Sequence, residues 1–121
     1  VDRGGIVMLD DFDGQRHFQI MYEQMKRVFP NTEMQVMSDS HPLLHTYYDI
    51  NSLYVQSPYD YGEPPVFYSF EDEWGNLQVI ICYNNDVGDF WEHIDDGRLP
   101  LAPSTEALRL GINIVIYAMT H

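Results

Sequence analysis

The chain has 121 residues, of which 19 are acidic and 6 are lysine or arginine, so its formal net charge is −13. This deficit of basic side chains disfavours nucleic acid and anionic membranes as partners, because both are bound through lysine and arginine. The length fits one domain, and no apolar run approaches the roughly 20 residues that cross a bilayer.

The first predicted element is a strand that ends in carboxylates. The apolar run at residues 6–9 is followed by Asp10, Asp11 and Asp13. A short apolar run bounded by turn residues is typical of a strand buried on both faces, and such strands occur mainly in parallel sheets covered by helices. Those sheets bind ligands beyond the carboxyl ends of their strands, so these aspartates mark an expected site.

The residues before this strand are typical of the end of a helix. Arg3 is followed by Gly4 and Gly5, and helices favour a basic side chain in the last turn and glycine at the cap. We therefore expect the domain to be truncated at its N-terminus, with at least one earlier helix belonging to a longer protein.

A helix is predicted after Gly14, with Asp13 as its N-cap. Apolar side chains recur at helical spacing from Phe18 to Phe29, and Pro30 ends the pattern. Together with the preceding strand, this helix forms the first half of a parallel crossover unit. The pattern then predicts a short strand at residues 33–37 and a short helix or turn at residues 43–48.

Residues 49–65 form a long irregular segment that contains Tyr54, Tyr59 and Tyr61. A long loop in a compact domain is usually functional or mobile. Two interpretations stay open for the tyrosines. They form a lid or a partner surface, or they pack over the sheet.

The second half of the chain predicts a hairpin and a long helix. Two β-rich runs at residues 66–70 and 77–83 flank a turn with Gly75 and Asn76, and the second run, being more apolar, is the expected inner strand. Residues 90–103 are expected to be a connection. The apolar stretch at residues 107–119 predicts a deeply buried helix with Ser104 or Thr105 as its N-cap.

Two strand ends are expected to share one crevice. Asp10 and Asp11 follow the first strand, and Asn84, Asn85 and Asp86 follow the inner strand. Clustered carboxylates repel one another, which favours binding of a proton or a cation, and their oxygens suit Mg²⁺ or Ca²⁺. We therefore expect Asp11 and Asp86 to be the ligands of a divalent cation.

Four other side chains are candidates for ligand contact. Trp91 is a candidate stacking group, and His93 lies two residues beyond it. His41 and His45 share one face of a helix at their spacing, although His41 also fits the position of a helix cap. Cys82 lies in an apolar run and is expected to be a small buried hydrophobe rather than a nucleophile.

Several motifs together resemble a known family. In chain order they are Gly4-Gly5, Asp10-Asp11-Phe12, Asp39-Ser40-His41-Pro42-Leu43-Leu44-His45, Tyr83-Asn84-Asn85-Asp86-Val87-Gly88-Asp89-Phe90-Trp91-Glu92, Leu110-Gly111-Ile112-Asn113 and Tyr117-Ala118-Met119-Thr120-His121. This set resembles the bacterial domain-of-unknown-function family 4159. The resemblance implies a class I glutamine amidotransferase-like fold, which is a flavodoxin-like three-layer α/β sandwich with a mostly parallel sheet. It also implies an additional N-terminal portion, so that residues 1–121 are the C-terminal part of a larger domain, and it favours an exported or periplasmic location.

The function expected from these observations is binding without glutaminase activity. Amidotransferases carry a nucleophilic cysteine at a strand-to-helix elbow, whereas residues 10–14 contain none and Cys82 lies before a strand end. We expect a small polar ligand, a cation or a protein partner at the acidic crevice. Two alternatives stay open: a metal-assisted hydrolase with Asp10 or Asp11 as general base, and a structural domain of a larger assembly.

Overall fold

The computed structural model describes residues 4–51 and 57–121. The elements are β1 (Val7–Phe12), α1 (Gly14–Val28), β2 (Gln35–Val36), a 3₁₀ turn (Pro42–His45), β3 (Val66–Glu71), β4 (Leu77–Tyr83), α2 (Val87–Glu92) and α3 (Leu101–Thr120). Tyr54 of the predicted tyrosine loop and Arg3 of the predicted helix end lie outside the described residues.

The four strands form one mixed sheet in the order β1-β4-β3-β2. Strand β1 runs parallel to β4, whereas β4 with β3 and β3 with β2 are antiparallel. The α/β class is confirmed, as is the hairpin, but the expectation of a mostly parallel sheet is wrong. The hairpin is the reason, because a tight turn joins only antiparallel strands and here it places β3 inside the sheet.

Strand β4 is the inner strand, as predicted, and every residue of it except Gln78 is buried. In the described sheet β1 is an edge strand, and none of its residues is buried, so its expected burial on both faces is wrong. Val7 is 42% exposed, and Asp11 is exposed as well. An apolar run of four residues indicates contact with helices on both faces of a sheet, but it carries no information on whether a strand lies beside it.

Helices cover both faces of the sheet, because successive side chains of a strand point to opposite sides. On one face, Ile81 of β4 belongs to a cluster that includes Met25 of α1. On the other face, Ile80 packs in a second cluster with Phe90 of α2 and Leu110 of α3. The sheet therefore lies between α1 on one side and α2 with α3 on the other.

Helix α1 begins and ends close to the predicted residues. Asp13 occupies the N-cap position, as expected, but its side chain makes no capping hydrogen bond. Instead the Gly14 N–H donates to Asn84 Oδ1 at 3.0 Å. The Asn84 side chain, just after β4, therefore accepts the hydrogen bond of a backbone N–H group in the first turn of α1.

The two helices after β4 differ from the predictions. Helix α2 lies where a polar loop and a connection were expected, because six residues that include Gly88 are too few to show a helical period. Helix α3 starts at Leu101, before the predicted caps, and Pro103 is tolerated in the first turn, where backbone N–H groups have no partner within the helix. In the described part of the chain, no helix is long and apolar enough to cross a membrane.

Trp91 and Gly111 pack α2 against α3, which leads to a first prediction. The Trp91 indole N–H donates to the Ala107 carbonyl at 2.7 Å, and a Cβ added at Gly111 would lie 2.9 Å from two indole carbons. We expect Gly111→Ala to lower the free energy of unfolding by about 1–2 kcal/mol, because overpacking outweighs the helical preference for alanine. Urea denaturation measures this change.

The Trp91→Leu variant supplies the control for this prediction. Without the indole ring, the added methyl group no longer meets the carbons that it would contact in the wild-type protein. Gly111→Ala should then be neutral or stabilising in that background. An equal loss of stability in both backgrounds would show that the indole contact is not the cause.

Candidate functional site

The carboxyl ends of β1 and β4 meet at one end of the sheet, because these two strands are parallel neighbours. The Asn84 N–H donates to the Phe12 carbonyl at 3.0 Å, and the Asp11 N–H donates to the Asn85 carbonyl at 3.1 Å. Asp11 also lies near enough to Asp86 for its charge to raise the pKa of that carboxyl. We name this end the carboxylate edge, formed by Asp10, Asp11, Asn84, Asn85 and Asp86.

Asp10 holds β1 to the start of α2. Its two carboxylate oxygens accept hydrogen bonds from the Val87 N–H at 3.0 Å and from the Gly88 N–H at 2.8 Å. Burial raises the pKa of Asp10 above its usual value, although both of these bonds act to lower it. Both oxygens of this predicted ligand are thus bonded to the backbone of a neighbouring helix.

The two asparagines are buried and join neighbouring segments. Asn84 Oδ1 accepts the bond from α1 described above, and Asn84 Nδ2 donates to the Pro64 carbonyl at 3.3 Å. Asn85 Oδ1 accepts a hydrogen bond from the Asp86 N–H at 2.9 Å. These contacts link β4 to α1, to the tyrosine-containing loop and to α2, so each amide has a structural role.

Two residues at this edge have a left-handed backbone. The φ angle is +59° at Asp11 and +55° at Asn84. Aspartate and asparagine adopt this conformation more readily than other residues with a side chain. At Asp11, within β1, it coincides with the break in the pairing register between Leu9 and Phe12, and at Asn84 it turns the chain after β4. The Asp11 side chain is exposed, whereas that of Asn84 is buried.

Asp86 has the most perturbed carboxyl group of the edge. It is the N-cap of α2, and its Oδ1 accepts a hydrogen bond from the Asp89 N–H at 3.2 Å. Burial raises the pKa of Asp86 to about 6, and the charges of Asp11, Asp89 and Asp10 add to this effect. A carboxyl group with a pKa near neutrality is suited to exchange protons with a substrate or to be stabilised by a cation.

The described part of the tyrosine-containing loop lies against this edge. The Tyr59 hydroxyl donates a hydrogen bond to the Asp89 carboxylate. Burial raises the pKa of Tyr61 to about 12, and the nearby charges of Asp86 and Asp11 contribute. Both tyrosines therefore adjoin the carboxylates, which fits the interpretation of the loop as a lid or a partner surface.

Asp89 and Glu92 of α2 and its C-cap residue His93 form a group that could hold a metal ion, and of these three only His93 was a candidate from the sequence. One ligand atom from each of Asp89, Glu92 and His93 lies within 4.8 Å of the others. We name these three residues the α2 ligand group. Residues at i, i+3 and i+4 share one face of a helix, but this spacing acquires meaning only once α2 is known to be a helix.

The ring of His93 is oriented by two neighbours. His93 Nε2 lies 3.1 Å from a guanidinium nitrogen of Arg98, which can only donate, so Nε2 is the acceptor. The proton is then on Nδ1, which donates to Asp96 Oδ2 at 2.7 Å. This bond holds the pKa of Asp96 below its usual value. A histidine held in this way by a carboxylate presents its other nitrogen as a ligand atom.

Other predicted ligand residues lie elsewhere or have other contacts. His41 Nδ1 accepts a hydrogen bond from the Leu43 N–H, so His41 caps the 3₁₀ turn. His41 Nε2 lies 2.7 Å from a carboxylate oxygen of Glu71, which pairs with Leu77 at the start of β4. The structure thus places His41 at the end of the sheet opposite the carboxylate edge, and the expected single site does not include it.

His45 and Trp91 also have local partners. The His45 ring bonds to the Asp49 carboxylate and, at 2.9 Å, to the Asp39 carbonyl, and these bonds raise its pKa. The Trp91 indole is used in packing on α3, as described above. A role in ligand contact stays a prediction for both residues.

Cys82 is completely buried in β4, as the sequence predicted. Burial raises the pKa of its thiol well above the usual value, and the charge of Asp10 adds to the effect. A thiol with a raised pKa forms little thiolate, which is the nucleophilic form. The residue is therefore a small hydrophobic part of the core.

Comparison with known proteins gives one result. The family described as "Domain of unknown function (DUF4159)" matches residues 1–119. No curated protein matches the chain.

Proposed function

The chain belongs to the DUF4159 family, and we propose that it binds a divalent metal ion at the α2 ligand group beside the carboxylate edge. Zn²⁺ is the ion that this donor set suits best, since one imidazole nitrogen and carboxylate oxygens are common zinc ligands. The proposal keeps the divalent cation expected from the sequence. It moves the ligands from Asp11 and Asp86 to the adjoining turn of α2.

The observation that carries the proposal is the convergence of two carboxylates on an oriented histidine. His93 Nε2 lies 3.9 Å from Glu92 Oε2, and Asp89 completes a group that spans 4.8 Å. Zinc–ligand bonds are about 2.0–2.2 Å long, so the three atoms must come closer together when a metal binds, and the Glu92 side chain is exposed. The hydrogen bond to Asp96 is the outer contact that metal-bound histidines commonly make.

The charges around the group also favour a cation. Asp86 and Asp11 add negative charge at the carboxylate edge, and the repulsion among these carboxylates falls when a cation binds. Two contacts oppose metal binding. The Arg98 guanidinium occupies the side of His93 Nε2 that a metal would approach, and the Tyr59 hydroxyl donates a hydrogen bond to the Asp89 carboxylate. We therefore expect Arg98 to compete with the metal ion.

Calorimetric titration with Zn²⁺, Mg²⁺ and Ca²⁺ tests the proposal. We expect Zn²⁺ to bind, His93→Ala to abolish binding, and Asp96→Asn to weaken it by about 10- to 100-fold. Arg98→Gln should strengthen binding, because it removes the competing cation. Glu92→Gln should weaken Zn²⁺ binding, because it removes a ligand carboxylate. Its matched control is Glu23→Gln, which changes an exposed glutamate of α1 and should leave binding unchanged.

Two outcomes of this titration would contradict the proposal. Mg²⁺ or Ca²⁺ binding that is lost in Asp11→Asn but kept in His93→Ala would favour the ligand pair predicted from the sequence. No heat with any ion would favour the third function considered above, a structural or interaction domain whose tyrosine-containing loop meets a protein partner.

A metal-assisted hydrolase is the second candidate, and the raised pKa of Asp86 favours it. Asp10 or Asp11 is the general base expected from the sequence. Because both oxygens of Asp10 are bonded to α2, Asp86 is the better candidate. Zinc-dependent turnover of an ester, phosphoester or glycoside that is lost in Asp86→Asn, with zinc binding retained, would support this function.

We also propose that residues 1–121 belong to one amidotransferase-like α/β domain without glutaminase activity. Helices on both faces of the sheet support the fold, although the sheet is mixed. The buried Cys82 argues against a thioester mechanism, because its raised pKa disfavours the thiolate.

A further inference from the structure

We infer that a pocket on the α1 side of the sheet binds a guanidinium group, carried either by a small guanidino compound or by an arginine of another protein. We name it the α1 pocket, and it is lined by Gln15, Phe18, Gln19, Glu63, Tyr68 and Tyr83. The α1 pocket shares no residue with the carboxylate edge or with the α2 ligand group. The inference therefore does not depend on the proposed metal site.

The size of the α1 pocket fits one side chain or a ligand of similar size. Its volume is about 290 Å³, which is at the lower end of the range of about 300–1,000 Å³ for small-molecule pockets. Helix α1 forms one wall, and Tyr68 of β3 with Tyr83 of β4 forms the base. Gln15, Gln19 and Glu63 are exposed, so a ligand reaches the pocket directly from solvent.

Three aromatic rings form the base of the pocket. The ring centroid of Phe18 lies 5.2 Å from that of Tyr68 and 4.8 Å from that of Tyr83, and the two tyrosine rings are 6.4 Å apart. These rings pack directly on one another, so a ligand lies on them rather than between them. A flat cation suits such a surface, because guanidinium groups stack on aromatic faces.

The polar side chains around this base offer hydrogen-bond acceptors that have no partner among the described residues. Gln15, Glu63 and the Tyr68 hydroxyl make no hydrogen bond or ion pair there. Gln19 Nε2 donates to Glu23 Oε1 at 3.1 Å, which leaves the Gln19 carbonyl oxygen free to accept. A guanidinium group has five N–H donors and no acceptor, so it matches this set of oxygens.

The charge of the pocket favours a cation over an anion. Glu63 is the one charged side chain among the described residues that line it. Tyr83 is only 7% exposed, and burial raises its pKa, an effect to which the charges of Glu63 and Asp13 add. The electrostatic potential at the pocket is therefore negative. The net charge of −13 acts in the same direction.

Nuclear magnetic resonance titration of the isotope-labelled chain with n-butylguanidinium tests the inference. We expect the backbone amide signals of the pocket residues to shift. The neutral analogue n-butylurea should bind at least about tenfold more weakly, because it lacks the charge that strengthens hydrogen bonds to Glu63. Glu63→Gln should weaken n-butylguanidinium binding by about tenfold for the same reason. Its matched control is Glu73→Gln, at an exposed glutamate outside the pocket, which should leave binding unchanged.

Phe18→Leu tests the contribution of the aromatic base. Leucine keeps an apolar side chain but has no ring face, so we expect n-butylguanidinium binding to weaken by about two- to fivefold. Circular dichroism establishes that this variant folds. Equal binding of n-butylguanidinium and n-butylurea would overturn the inference, as would unchanged binding in Glu63→Gln. Signal shifts confined to the carboxylate edge would also overturn it, because the cation would then bind there.

A short peptide distinguishes the two sources of the guanidinium group. The probe is one arginine between two glycines, with both ends blocked. Tighter binding of this peptide than of n-butylguanidinium would indicate an arginine of another protein, whereas equal or weaker binding would indicate a small guanidino compound, and both results support the inference. The lysine peptide should bind more weakly, because an ammonium group neither stacks nor pairs with a carboxylate through two bonds. Equal binding of the two peptides would overturn the assignment to a guanidinium group.

Discussion

Replacing Asp10 with asparagine should lower the free energy of unfolding by about 1–3 kcal/mol, which is the cost of leaving a backbone N–H donor without an acceptor. Its carboxylate accepts bonds from the Val87 and Gly88 N–H groups. An asparagine has one acceptor oxygen, so its amide group would face a second N–H donor and leave it unpaired. Denaturation in urea at neutral pH measures the loss.

Asp13→Asn is the matched control for this prediction. Asp13 lies just after β1, whereas Asp10 lies within it, and the Asp13 side chain makes no capping hydrogen bond. The control removes a negative charge but no capping hydrogen bond. We therefore expect the free energy of unfolding to change by no more than about 0.5 kcal/mol. If both variants have the same stability and only Asp10→Asn loses zinc binding, Asp10 is a ligand and its hydrogen bonds to α2 matter little.

The carboxyl ends of β1 and β4 show which features of the site could be predicted from the sequence. The apolar run and the aspartates after it correctly indicated a strand with polar groups at its carboxyl end. The sequence also identified β4, which is followed by Asn84, as the inner strand. Both predictions depend only on the order of apolar and polar residues along a short segment, which the sequence shows directly.

The sequence did not reveal which polar groups at these ends are already bonded. Asn84 caps α1, Asp10 caps α2 and His41 caps the 3₁₀ turn, but only the cap from His41 was predicted. His41 bonds to a residue two positions along the chain, whereas Asn84 and Asp10 bond to residues about 70 or more positions away. Long-range caps require the fold, so their residues resembled unpartnered ligands in the sequence.

The order of the strands in the sheet and the α2 ligand group could not be predicted from the sequence either, because both depend on the fold. The apolar run before Asp10 has the composition of a buried strand although β1 is at an edge, because its faces are apolar whether or not a neighbour is present. Helix α2 is capped by Asp86 and contains Gly88, so a turn and a short helix have the same local signal. Without that helix, Asp89, Glu92 and His93 have no common face.

Replacing Asp86 with asparagine should change the pH dependence of stability. The pKa of Asp86 is about 6 in the folded protein, above the value of about 4 for an unfolded aspartate. Between these pH values the folded state holds a proton that the unfolded state has lost, so the free energy of unfolding falls as the pH rises. A shift of two units corresponds to about 2–3 kcal/mol, lost by the wild type between about pH 4 and pH 7.

Asparagine avoids this loss because it does not ionise, and it keeps an oxygen that accepts the Asp89 N–H. We therefore expect Asp86→Asn to match the wild type near pH 4 and to exceed it by about 2–3 kcal/mol near pH 8. Asp95→Asn, at an exposed aspartate, should follow the wild type throughout. Equal pH profiles for Asp86→Asn and the wild type would show that Asp86 ionises as an ordinary surface carboxyl. Asp86 would then lose the property that recommends it as a general base.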